Sequence, residues 1–207
     1  MYTIESKYTT MILILLLLVA AMPRFYNLNA LGFYGDEETS SFAARSLAQG
    51  NGMVMPSGMP YLRSMPLTVM NALSAKAFGP EKEFAYRLPA AIIGTITVPL
   101  LFLVARPFVG AATALLAALL LAFSEWHIIT SREARMYAPF LFFYIVTAFA
   151  LLQWNLGNKL RYALAAFALF ASTATLHPLG IIAVQFAAIP IAFPNWSRLK
   201  LLPIIIF

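Results

Sequence analysis

Charged residues are absent from four runs of the chain, residues 8–23, 88–105, 107–124 and 136–158. Each run approaches or meets the roughly 17–25 residues that a helix needs to cross a bilayer, and a charge at mid-bilayer costs several kcal/mol. A longer uncharged stretch, 162–197, is interrupted by His177-Pro178 and Gly180, which predicts two helices joined by a tight turn. A last apolar segment opens at Leu201 and still runs at Phe207, so the pattern predicts a chain that is incomplete at its C-terminus. The expected fold is all-α: a polytopic transmembrane helical bundle of about six complete spans plus a truncated seventh. Residues 1–207 form one domain. The first run also fits a secretory signal peptide, with Lys7 ahead of it and Ala20-Ala21 near its end.

Residues 24–87 break this pattern and form the one long polar connection, between the first two spans. Gly35-Asp36-Glu37-Glu38 opens a helical stretch that runs to about Gln49 and stops at Gly50-Asn51-Gly52. A second stretch, Pro66 to Phe78, places Leu67, Met70, Leu73, Ala77 and Phe78 on one face, with Asn71, Ser74 and Lys76 off it. Gly79-Pro80 ends it. Such helices are expected to lie along the membrane surface.

Composition agrees. Sixty-one per cent of the residues are hydrophobic and 11% charged, too few polar groups to coat a soluble globule. The net charge of +6 is scattered along the chain, which argues against a nucleic-acid surface. Instead it sets topology. With the N-terminus in the cytoplasm, Lys7, Arg106, Lys159, Arg161, Arg198 and Lys200 all fall inside, as the positive-inside rule requires. The expected location is a multi-pass plasma (inner) membrane protein whose residues 24–87 face outside. Without cysteine there is no disulfide, thiolate metal site or thiol nucleophile.

That orientation gathers the reactive side chains on the outer face. Asp36, Glu37, Glu38, Glu81, Glu83, Glu125 and Glu133 map there, with His127, His177, Arg87, Arg132 and Arg135. Carboxylates beside guanidiniums suit proton abstraction next to a phosphate. Plainer readings stand beside this one. Asp36 can be a helix N-cap, with Glu37 and Glu38 favouring the positive end of the helix dipole. Arg132, Glu133 and Arg135 can be an ordinary polar loop, and the two histidines interfacial hydrogen-bonding groups rather than metal ligands.

Gly35-Asp36-Glu37 followed by Phe42-Ala43-Ala44-Arg45-Ser46-Leu47-Ala48-Gln49-Gly50 resembles the first outer loop of two GT-C glycosyltransferase groups, in glycosyltransferase family 39 and its relatives. These are the protein O-mannosyltransferases and the lipid A aminoarabinose transferases. Phe78-Gly79-Pro80 and Arg87-Leu88-Pro89-Ala90 resemble the family's entry into its second span, and Ser131-Arg132-Glu133-Ala134-Arg135-Met136-Tyr137-Ala138 is the most specific match. Where relatives carry a Pro-Pro pair preceded by His or Lys, this chain reads Arg63-Ser64-Met65-Pro66.

The resemblance implies transfer of a sugar from a polyprenyl-phosphate donor to a lipid, glycan or protein acceptor. It implies Asp36 as the acid–base residue, supported by Glu37. Arg87, Arg132 and Arg135 are the candidates for the departing phosphate, and Glu133, Tyr137 and His177 complete the expected substrate-binding set. No metal ligand is assigned and the cofactor is unknown, a divalent metal being left open. A secondary transporter and a non-catalytic membrane protein of the same fold are the alternatives. Transporters place ionisable groups near the midplane, whereas charges here sit at span ends.

Overall fold

The computed structural model describes residues 4–30, 32–155, 165, 169, 173 and 175–184. In chain order its helices are α1 (Ile4–Phe25), α2 (Asp36–Ala48), α3 (Met65–Phe78), α4 (Glu83–Val109), α5 (Ala111–Ala122), α6 (Glu125–Ser131) and α7 (Tyr137–Asn155). A 3-10 segment, Pro178–Val184, follows. Among the described residues the only extended pairing is one antiparallel bridge, Val54 to Pro60.

Helices α1, α4 and α7 are long and apolar enough to cross a membrane. Helices α5 and α6 are together a fourth candidate, bent by 59° at the break between them. These match the four uncharged runs one for one. The remaining expected spans, in 162–197 and beyond Leu201, lie outside the described residues except for 165, 169, 173 and 175–184.

Two boundaries differ from expectation. Helix α4 runs on through Arg106 and Pro107 to Val109, where Gly110 at φ +81° turns the chain, so Arg106 sits in a last helical turn and not in a loop. There its guanidinium donates to Thr9 Oγ1 of α1 at 2.9 Å. Helix α5 stops at Ala122, and Ser124 caps α6 by accepting from His127 N. The bend leaves Trp126 71% exposed, as an interfacial aromatic would be.

Helices α1, α4 and α5 pack through Leu16, Ala20, Val98, Phe102, Ala114, Ala118 and Ala122. The alanines at 114, 118 and 122 recur every fourth residue, the small-residue stripe that lets helix backbones approach in lipid. Fully buried Arg24 closes one end of this packing. It donates to Ala20 O and Ala122 O at 2.8 and 3.2 Å, and its Nη2 lies 2.7 Å from His127 Nδ1.

Both connecting helices form where the sequence placed them, but α3 buries a different face. Leu67, Thr68, Asn71, Ala72 and Ala75 are buried, whereas Val69, Leu73 and Phe78 are exposed at 42%, 64% and 50%. The apolar-inward rule fails because α3 meets α2 and α4 through small side chains. Ala44, Ala72, Ala75, Ala85, Tyr86 and Ala134 form that junction. Large apolar side chains such as Leu73 are left on the exposed face.

Candidate functional site

Asp36 and Glu37 are neighbours in the first turn of α2 and have opposite surroundings. Gly35, at φ +54°, is the N-cap residue and no side chain caps the helix, so the N-cap reading of Asp36 is overturned. The Asp36 carboxylate accepts from Arg135 Nη2 at 2.8 Å while its side chain stays 68% exposed. Arg135 Nη1 also donates to the Asp36 carbonyl at 2.9 Å and reaches Ser40 Oγ at 3.4 Å. One guanidinium therefore fixes the backbone and the side chain of Asp36 together.

Glu37 turns inward. Its carboxylate accepts from Arg87 Nε at 2.7 Å and Arg87 Nη2 at 2.9 Å, a bidentate fork, with side chains only 4% and 5% exposed. Oε1 accepts in addition from Ala134 N at 2.8 Å. Arg87 donates further to Leu28 O and Gly32 O at 3.0 and 3.1 Å. This buried pair ties together the segment after α1, the start of α2, the N-terminal end of α4 and the 132–136 loop.

Arg132 faces away from both pairs. Its guanidinium donates to the carbonyls of Pro23, Tyr26 and Asn27, at 2.7, 2.7 and 3.3 Å, and so caps the end of α1. Favourable alignment of a cation with a helix C-terminus accounts for that placement. Behind the same loop, Gly94 of α4 allows close approach: a Cβ there would overlap Ser131 Oγ.

Glu133 is half-buried between the two ion pairs. Burial, then the neighbouring Glu37 carboxylate, push its carboxyl above the usual range, and Arg135 and Arg87 pull it part of the way back. With Glu83 3.9 Å from Arg87 Nη1, four carboxyls thus share two guanidiniums, each of which is already paired.

From Arg135 the site continues as a row of contacts. Its guanidinium stands 5.6 Å from the Tyr137 ring centre, and that ring lies 6.2 Å from the His177 ring, which also meets Phe140 at 5.4 Å. His177 Nδ1 accepts from Leu179 N at 3.1 Å. Beyond it opens a cavity of about 520 Å³, lined among others by Arg63, Ser64, Met65, Met136, Leu176 and His177. Ser64 is buried, at a left-handed φ of +51°, and its hydroxyl finds no partner among the described residues. Arg63 is exposed and forms no ion pair among them.

Asp36, Arg135, Tyr137 and His177 are therefore brought into one continuous row. Glu37, Arg87 and Glu133 lie beside it, and Arg132 is turned to the end of α1. Sequence reasoning did not assign Arg63 and Ser64, although the departure from Pro-Pro at this point was a visible signal. Among the described residues no group of three or more His, Cys, Asp or Glu side chains could hold a metal.

Comparison with curated proteins and with solved structures finds no match. The family described as dolichyl-phosphate-mannose-protein mannosyltransferase matches residues 66–205, more than half of the chain. That range contains Arg87, the 131–138 segment and His177, and begins after Asp36 and Glu37. The chain, all-helical in its described residues and with three helices fit to cross a membrane, belongs to the dolichyl-phosphate-mannose-protein mannosyltransferase family of membrane glycosyltransferases.

Proposed function

We propose that this protein transfers a sugar from a polyprenyl-phosphate donor to a hydroxyl acceptor at the outer face of the plasma (inner) membrane, with Asp36 as general base. The observation that carries this reading is the Asp36–Arg135 contact. The carboxylate does not cap its helix, is 68% exposed, and is oriented by a guanidinium on the segment that leads to Tyr137 and the cavity. Asp36 takes the acceptor proton as the acceptor oxygen forms a bond to the anomeric carbon. The bond from that carbon to the phosphate oxygen breaks, and the polyprenyl phosphate leaves with the electron pair. Removing the proton during attack is worth about 10²–10⁴ in rate.

Charge accounting favours Arg63 for the departing phosphate, with His177, whose Nδ1 accepts from Leu179 N, offering its other ring nitrogen as a donor. Arg87 and Arg132 spend their donors on Glu37 and on backbone carbonyls, and serve as frame. Arg63 has no counter-ion among the described residues, and the partnerless Ser64 hydroxyl lines the same cavity. Met136 and Leu176 give that cavity the apolar wall a lipid-linked donor requires. Glu37 supports the base by holding the 132–136 loop through Ala134 N. The outward orientation and the full set of six spans and a seventh follow the distribution of basic loops.

The test is donor dependence. Membranes carrying the protein are assayed for sugar transfer from a polyprenyl-phosphate-linked hexose, comparing Arg63→Gln with the unmutated chain. Loss of a charge-assisted phosphate contact should raise the donor KM by roughly 10-fold or more, since such bonds are worth about 1.5–3 kcal/mol. The same donor KM in the variant would move the phosphate away from this cavity.

A further inference from the structure

Three of the nine methionines, Met53, Met55 and Met59, fall within one short hairpin. Its backbone register is explicit. Tyr61 N donates to Met53 O and Met55 N to Met59 O, both at 2.8 Å, on either side of the Val54–Pro60 bridge. Gly58 N closes the turn onto Met55 O at 2.8 Å, with Pro56 inside the turn and Gly58 at φ +81°. This is a three-residue loop ending in a left-handed glycine.

Alternation along a strand then puts Met53, Met55, Met59 and Tyr61 on one face, with Val54 and Pro60 on the other. Met55 and Met59 are directly opposed, so their Cβ atoms stand about 5 Å apart, and the diagonal neighbour lies within about 7–8 Å. Three flexible thioether side chains can close those gaps onto a single point. Tyr61 anchors the hairpin: it is 8% exposed and its hydroxyl lies 3.1 Å from Ser40 Oγ. The tip stays open, with Met59 65% exposed.

We propose that Met53, Met55 and Met59 form a thioether site for a soft monovalent cation, Cu(I) or Ag(I). Soft sulfur ligands select Cu(I) over the hard and borderline divalent ions. The chain holds no cysteine to compete with stronger thiolate ligation. A purely apolar role does not require sulfur, and leucine, which this chain uses freely, would serve it as well. A bound cation would pin the hairpin whose base reaches Ser40, one turn of α2 from Asp36.

The experiment uses the full-length protein in detergent, with methionine methyl groups labelled with carbon-13, titrated with Ag(I) in chloride-free buffer. Silver has the charge and softness of Cu(I) without its redox chemistry. One equivalent should shift three methyl signals, those lost in Met53→Leu, Met55→Leu and Met59→Leu. Each Leu variant keeps the apolar bulk and should bind Ag(I) at least about 10-fold more weakly, the minimum that loss of even an outer-shell partner costs. Met22→Leu, at a methionine 78% exposed on α1, should bind as the unmutated chain does. Zn(II) should shift nothing. Equal shifts at all exposed methionines, or unchanged Ag(I) affinity in Met55→Leu, would overturn the site. Should a Leu variant not fold, the count of shifted methyl signals in the unmutated protein decides.

Discussion

Replacing Glu37 with Gln tests whether the Glu37–Arg87 pair holds this end of the bundle together. The carboxylate accepts three hydrogen bonds, from Arg87 Nε, Arg87 Nη2 and Ala134 N, at 2.7, 2.9 and 2.8 Å. A glutamine amide has one oxygen. Its NH2 must face either Arg87 Nη2 or the other two donors, so at least one N–H is left opposite another N–H. The larger effect is electrostatic. With Arg87 only 5% exposed, the substitution removes the bidentate counter-ion of a buried guanidinium and leaves Glu83, 3.9 Å away and 33% exposed, as its ion-pair partner, a loss of about 3–5 kcal/mol. At about 2–4 °C per kcal/mol for a chain of this size, the melting temperature should fall by roughly 6–20 °C. The assay is thermal unfolding of the full-length protein in detergent, followed by circular dichroism. The double variant Glu37→Leu with Arg87→Met removes both charges and should recover much of the loss, since an apolar replacement of a buried pair is often neutral. A Glu37→Gln protein melting within about 1 °C of the unmutated chain would refute the clamp.

Three further outcomes follow from other contacts. Gly94→Ala places a Cβ against Ser131 Oγ and should destabilise by about 1–3 kcal/mol, read in the same melt; an unchanged melt would show that the 131–136 segment yields freely. Glu133 holds its proton more tightly folded than unfolded, so its contribution is complete below the ordinary carboxylate pKa and is lost as pH rises through the raised value. Glu133→Gln stays neutral, so its melting temperature should gain on that of the unmutated protein as pH rises above the ordinary carboxylate pKa, and a pH-independent difference would contradict this. Single cysteines at Ser57→Cys and Ala112→Cys, in a chain with none of its own, should react with an impermeant reagent from outside and from inside respectively; labelling of both from one side would reject the orientation.

The elements were more legible in the sequence than the pairings. Local signals bound α2 and α3: acids then Gly-Asn-Gly for one, Pro66 and Gly79-Pro80 for the other, and both helices ended within a residue or two of expectation. The four uncharged runs reappeared as α1, α4, the α5–α6 pair and α7. The buried face of α3 differs from the sequence expectation because the helix meets its neighbours chiefly through alanines, leaving Leu73 outward and Asn71 inward. Which guanidinium serves which carboxylate was unreadable, since Glu37 meets Arg87 across 50 positions and Asp36 meets Arg135 across 99. Spacing along one helix cannot reveal contacts made between helices. The same limit hid the different fates of two adjacent acids, one exposed beside Arg135 and one buried on Arg87.

Sugar transfer by the Asp36→Asn protein tests the catalytic assignment most directly. Asparagine keeps an oxygen that can accept from Arg135 Nη2, and Arg135 Nη1 still holds the backbone carbonyl of residue 36. The side chain is 68% exposed and caps no helix, so yield and melting temperature should match the unmutated protein. Asparagine cannot take a proton. The turnover of polyprenyl-phosphate-linked sugar should therefore fall by about 10²–10⁴-fold with the donor KM unchanged. A normally folded Asp36→Asn protein that transfers sugar at the unmutated rate would contradict the assignment of Asp36 as the base.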